Sequence, residues 1–395
     1  MLTPLEPHVI HKLEAAARFR PTADPAMMRL PHPQRTMASP LKTVWSAILD
    51  KDYDRLVAML NDDTLTLEQV ATAMASTERF TMLRQVALGD SANINDGSLF
   101  LTLAALRYLE TGNPHFQVTD ALEAQLQQTD LGEELPARFF RTGYPAAYVE
   151  FGETRLSPLS VTNPVSGEHV LEGCYVQDHP VVAIPGENVP PYVEQIGICN
   201  GTACRVVELL FTGSPQGKEH FLDDSVKMVA LYITDESESI RSLLDKHLKM
   251  YSRRWPQVDG EPVSEDDQKA FRSLIPHLAK VLLYINSTSP LRETLTPRKT
   301  LLRQLQNVKP KKQAKLKRQL VKAYDRILIG PKSAPGSGGD TAGESRRKPH
   351  WRRGHFRHQP YGPRSNPSYK IIYIEPVLVN WEAGKPPAPK SYRVR

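Results

Sequence analysis

The chain has 395 residues, 40% hydrophobic and 24% charged, the composition of a folded protein with room for a large core. Three cysteines, Cys174, Cys199 and Cys204, are too few for a disulfide-built scaffold, and no apolar run nears the ~20 residues that a membrane-spanning helix needs. The net charge of +6 conceals a split: Arg298 to Arg395 carries 24 Lys and Arg against 5 Asp and Glu, and the residues before it carry 26 against 39.

In chain order, Met1 to Arg20 mixes His, Glu, Lys and Arg among its apolar residues. It lacks the apolar core of a secretion signal, which predicts a cytoplasmic protein with reduced thiols. Ser39-Pro40 then offers an N-cap and first-turn pair for a helix with Leu41, Val44, Trp45, Ile48 and Leu49 at helical spacing. Thr66 with Glu68 opens a second helix through Val70 and Met74. Leu99 to Leu109 is a largely apolar helix stopped by Gly112 and Pro114, and Thr119 caps a further one through Leu122 and Leu126.

The pattern then changes to alternation. Ala147 to Phe151, His169 to Val176, Arg205 to Phe211 and Lys227 to Ile233 read as half-buried strands separated by Gly, Pro, Asn and Asp. Without regular helical crossovers they predict a central antiparallel sheet, hence an α+β chain. Helices return at Ser237 to Tyr251 and from Ser264 onward, where acids occupy the first turn and Pro276 threatens a kink. Lys309 to Ile329 reads as one basic amphipathic helix, with Lys311, Lys312, Lys315 and Arg318 around Leu316 and Leu320. The predicted units are a helical region 1–95, an α+β body 96–296, a basic helix 297–330, a Gly/Ser/Pro-rich flexible linker 331–345 and a basic segment 346–395 ending in a strand.

That last segment carries Arg346, Arg347, Lys348, His350, Trp351, Arg352, Arg353, Gly354, His355, Phe356 and Arg357. After a Gly-containing turn come Lys370 to Ile374, Glu375, Pro376 and the apolar residues up to Asn380. The block resembles the C-terminal block of a type V-A anti-CRISPR family of phages and plasmids, its core being His350, Arg352, Arg353, Gly354, His355 and Phe356. Weaker likenesses lie at Leu131 to Phe151 and Leu274 to Tyr284. The resemblance implies a counter-defence protein in a bacterial host cytoplasm that binds a peptide of a nascent type V CRISPR nuclease and lowers its expression. Such a protein needs a groove for a peptide and an affinity for RNA or the ribosome.

The residues themselves leave alternatives open. A basic segment on an acidic body suits nucleic acid, with a tail lying on its own body as the alternative. Arg352 and Arg353 interleaved with Trp351 and Phe356 offer charge and stacking for single-stranded nucleic acid; equally, the two rings pack beneath the final strand. Lys311, Lys312, Lys315 and Arg318 add phosphate-binding charge. His350 and His355 admit a metal-independent RNase, with general acid, general base and arginine stabilisation. A plasmid or phage nucleic-acid-binding protein unrelated to CRISPR is the other rival. Glu375 is expected to pair with a motif arginine, and Gly354 to mark a bulge or a close backbone approach. His350, His355 and His358 lack zinc spacing, Cys199 and Cys204 have no second pair, and no metal, cofactor or membrane partner is predicted.

Overall fold

The computed structural model describes residues 7, 10, 11, 30–81, 97–111, 114–132, 134–152, 160–163, 167–183, 191–194, 196–199, 201–214, 225–251, 265–332 and 350–379. The predicted linker 331–345 lies almost wholly outside them, as do Arg346, Arg347 and Lys348.

Helices α1 (His32–Ala38), α2 (Leu41–Leu49), α3 (Lys51–Leu60), α4 (Leu67–Ala75) and α5 (Gly97–Thr111) come first, and residues 78–81 are helical too. Thr66 caps α4 as its spacing predicts. Its hydroxyl accepts the Gln69 N–H while the Gln69 side chain accepts the Thr66 N–H, so two otherwise unpaired amides are satisfied together. Strand β1 (His115–Val118) follows, then α6 (Asp120–Gln127) with Thr119 as its cap, and the two-residue β2 (Thr129–Asp130).

Strands β3 (Ala146–Glu150), β4 (Ser160–Asn163), β5 (Gly167–Ala183), β6 (Ala203–Ser214) and β7 (Ser225–Ile233) build an antiparallel run, with the short helix α7 (Pro191–Glu194) between β5 and β6. Then come α8 (Ile240–Tyr251), α9 (Glu265–Ile285), β8 (Arg292–Leu295), α10 (Pro297–Gln306), α11 (Pro310–Val321) and β9 (Arg326–Ile329). The main sheet runs β7-β6-β5-β3-β1-β9-β8, with β4 also paired to β5. It is antiparallel throughout except at β1, which lies parallel to both β3 and β9. The chain is therefore α+β as its pattern predicts, with a sheet of mixed direction.

Alternation assigns each strand two faces. Phe116, Val118, Val149, Cys174, Val176, Leu209, Phe211 and Leu231 face one way and form the main core with α6, α8 and α9. Tyr148, Tyr175 and Leu210 face the other and are covered by α2, α3, α4 and α5. The protein is thus three-layered, and the N-terminal helices are one lid of the sheet. Pro276 is accommodated inside α9, whose bounds run unbroken from Glu265 to Ile285.

One predicted element divides differently. The basic helix ends at Val321, and Arg326–Ile329 is a strand. Isoleucines resist helix and suit a sheet, and β9 finds two partners, β1 and β8. Ile329 is fully buried, its carbonyl accepts the Thr119 N–H at 3.0 Å, and Gly330 turns away at φ +103°, where a Cβ would strike Leu122 and Thr119. Strands β10 (His350–Arg352), β11 (Gly354–Tyr361), β12 (Ser368–Ile374) and β13 (Val377–Val379) complete the described chain.

Candidate functional site

The C-terminal block folds as an interrupted antiparallel ribbon. β10 pairs with β13 and β11 with β12, and the interruption falls at Arg353-Gly354 opposite Glu375-Pro376. The ribbon joins the body through β2, parallel to the start of β11, and the Gly354 N–H donates to the Gln128 carbonyl at 3.2 Å. A Cβ on Gly354 would lie 2.6 Å from Thr129 Oγ1 and 2.8 Å from Pro376 Cδ, so glycine here serves a close backbone approach.

Within β11, side chains alternate. Phe356 is 5% exposed and belongs to the main core, its ring 5.0 Å from Tyr373, which in turn meets Tyr284 of α9 at 5.2 Å. That corrects one expectation: Phe356 is no stacking surface for a base, because its ring anchors the ribbon. His358, on the same side, receives a hydrogen bond from Arg138 Nη2 at 3.2 Å and packs against Phe139 and Tyr369. Burial, and then the Arg138 charge, lower its pKa, which keeps Nε2 free to accept.

On the opposite side are His355, half-buried, and Arg357, exposed; Arg352 and Arg353 beside the interruption are exposed too. His350 and Trp351 lie on β10, with side chains outside the described residues. His355 makes no hydrogen bond with a described residue, and nothing described completes the acid–base pair that an RNase needs. Glu375 is exposed and pairs with none of the described arginines; Phe356, Pro376 and β2 fix the segment instead. Sequence reasoning missed Tyr361 and Tyr369, exposed by 51% and 45% near the ribbon's turn, with Lys370 Nζ 5.5 Å above the Tyr361 ring. Their signal was faint, since both sit among turn residues outside the basic run.

Lys312, Lys315 and Arg318 are exposed on α11; Lys311 is on the same helix, its side chain outside the described residues. Helices α10 and α11 pack on each other, and α10 buries no residue. They form an arm inserted between the neighbouring strands β8 and β9.

The body holds a cavity of about 380 Å³ between α3, the end of α5 and the start of β3. Leu60, Pro145 and Ala146 give it apolar walls, and Tyr144, Asp63, Arg107 and His179 add polar groups to its lining. Arg107 donates to the Leu60, Leu65 and Gln177 oxygens at 2.9, 2.8 and 2.7 Å. His179 faces the Asp63 carbonyl and a Glu208 carboxylate, each at 2.9 Å, and both Glu208 oxygens accept the Leu67 N–H at the positive start of α4. These groups come from α5, β5 and β6, so no local spacing announced them. They compensate one another, which lets an arginine be only 3% exposed.

Cys174 and Cys204 are buried and Cys199 exposed, all three free, and among the described residues no cluster has metal-binding geometry. Nor is any described helix long and apolar enough to cross a membrane.

The model of the AcrVA2-like family, anti-CRISPR type V subtype A2, matches residues 116–381, which span β1 to the end of the ribbon and include the arm. The chain belongs to this anti-CRISPR family. No curated protein matches it. The crystal structure of AcrVA2 is similar at 15% identity, covering 88% of this chain and 99% of that one, with a TM-score of 0.44. The family match begins at the sheet, so the N-terminal helical lid α1 to α5 lies outside it, and so does the Arg107 side of the cavity.

Proposed function

We propose that this anti-CRISPR protein binds a peptide segment of a nascent type V CRISPR nuclease and engages RNA or the ribosome with its basic C-terminal surface, lowering synthesis of the nuclease. It acts in the cytoplasm of a bacterial host and is carried by a mobile genetic element, plasmid or phage. The observation that carries the RNA half is the arm: from Pro297 to Lys322 there are 10 Lys and Arg and no Asp or Glu. A segment of that charge, exposed and unpaired with described carboxylates, suits a polyanion. Arg352, Arg353, Arg357 and Lys370, with the Tyr361 and Tyr369 rings, add charge and stacking surface on the ribbon.

The cavity supports the peptide half. Its volume and apolar walls suit one or two side chains of an extended segment, and its polar lining supplies orienting groups. This protein is read as a binder, with no step of bond cleavage assigned to it.

A transformation assay in cells carrying a type V effector tests the reading. Transformation should rise with the protein and lose that gain when the effector's first codons are recoded to another peptide. A pull-down from translating cells should recover the effector's initial peptide together with its message. Protection insensitive to recoding would refute peptide recognition; protection with no RNA or ribosome recovered would refute the RNA half. RNA recovered with no effect on any CRISPR effector would favour a nucleic-acid-binding protein of a mobile element.

A further inference from the structure

The arm's charge is ordered. With 3.6 residues per turn, Lys315, Arg318 and Lys322 of the α11 segment fall within about 60° of one another, over roughly 10 Å of axis. Gln313, Leu316 and Leu320 are half-buried and lie on the opposite side, toward α10. The stripe therefore points directly away from the arm's own seam. On α10, Lys299 and Arg303 are exposed.

The root of the arm uses up the nearest acid. The Asp325 carboxylate accepts the Arg298 and Lys299 N–H groups at 2.9 and 3.3 Å, capping α10 from the far end of the insertion, since Thr296 makes no side-chain cap. The stripe is left uncompensated by any described carboxylate. Between Pro297 and Lys322 there is also no Phe, Trp, Tyr or His. An arm without aromatic rings has no platform for unstacked bases, and single-strand recognition depends on such platforms. Absent aromatic anchors likewise disfavour insertion into a lipid surface. What the arm can grip is dense phosphate.

We propose that the α10–α11 arm is a distinct binding site for duplex nucleic acid, held through its phosphates by Lys315, Arg318 and Lys322 without reading sequence, while the ribbon with Tyr361 and Tyr369 takes single strands. This rests on the RNA reading above and adds which form of the polymer each surface takes. A B-form duplex presents about one charge per 1.7 Å of axis, so the stripe of roughly 10 Å meets an excess of phosphates.

The test uses the purified full chain with three probes: a blunt RNA duplex, the DNA duplex of the same sequence, and an oligouridylate. Its variant K315Q/R318Q/K322Q lies wholly on the exposed stripe; a second variant excises residues 297–322. That excision leaves Thr296, Ala323, Tyr324 and Asp325 as a four-residue loop between Leu295 and Arg326, which are paired in register. Removing three phosphate contacts should lower the slope of log Kobs against log salt on either duplex by about 2.7. Between 50 and 200 mM salt that is about 40-fold less salt sensitivity. Excision should abolish duplex binding, and oligouridylate binding should be unchanged in both variants. Wild-type slopes in the variant would overturn the inference, as would an arm-dependent preference for RNA duplex over DNA, or arm-dependent capture of phosphatidylserine vesicles in place of duplex. Wild-type binding to oligouridylate but to no duplex would overturn it and leave the RNA reading standing; binding to neither would remove both.

Discussion

Phe356→Ala tests whether the C-terminal block is part of the protein's core. The Phe356 ring is 5% exposed, between Tyr373 and the α9 side of the main core, in the strand that joins the ribbon to β2. A phenylalanine of this burial removes about 150 Å² from water, and at about 25 cal/mol per Å² its loss is worth near 4 kcal/mol. Measured Phe→Ala changes in cores cost about 3–5 kcal/mol, which agrees. The ribbon has only two residue pairs with β2. It is therefore expected to open as a unit, losing amide protection over 354–361 and 368–374 before the main sheet loses any. Urea unfolding gives the global cost, and hydrogen exchange by mass spectrometry gives the local one. A cost under about 1 kcal/mol together with wild-type protection across β11 and β12 would refute the placement of Phe356 in the core.

Three further outcomes follow from buried polar groups and one turn. His247 Nε2 accepts the Tyr232 N–H at 2.9 Å while Nδ1 donates to the Leu243 carbonyl, and burial lowers its pKa from 6.5 to about 4. The unfolded chain takes up that proton first, so the His247 contribution is whole above pH 6.5 and is lost as pH falls to about 4; melting temperatures over that range should fall less steeply in His247→Gln. Arg205, 5% exposed, donates to the Ala137 and Phe140 carbonyls, to Glu236 and to Asp178; Arg205→Met should cost about 3 kcal/mol in urea unfolding, mostly from the carbonyls left unpaired. Gly330→Ala should cost at least about 2 kcal/mol, because φ is +103° and the new Cβ meets Leu122 and Thr119; a thermal melt within error of the parent would contradict it.

Local chemistry fixed much of this protein in advance. Period-two alternation located β3, β5, β6 and β7, because each of these strands has a face that must be apolar. Thr66 and Thr119 marked the starts of α4 and α6, since a hydroxyl at that position satisfies an amide whatever packs above it. The close approach at Gly354 and the charge of the arm were legible for the same reason: both depend on residue type and near neighbours.

Tertiary structure decided what depends on distant partners. β1 and β9 are four residues each, too short for a periodic signal, and Gln117 pairs with Leu328 across more than half the chain. Arg-Ile-Leu-Ile after a basic helix reads as more helix until two strands stand ready to receive it. Glu208, His179, Gln177 and Arg107 look like solvent-facing positions in their own segments, and become a buried network only because the N-terminal helices close over that side of the sheet. Phe356 shows the same division in a single residue. Its motif announces an aromatic among cations, but whether the ring meets a base or a core follows from which face of β11 turns inward, and β2, Tyr373 and α9 settle that.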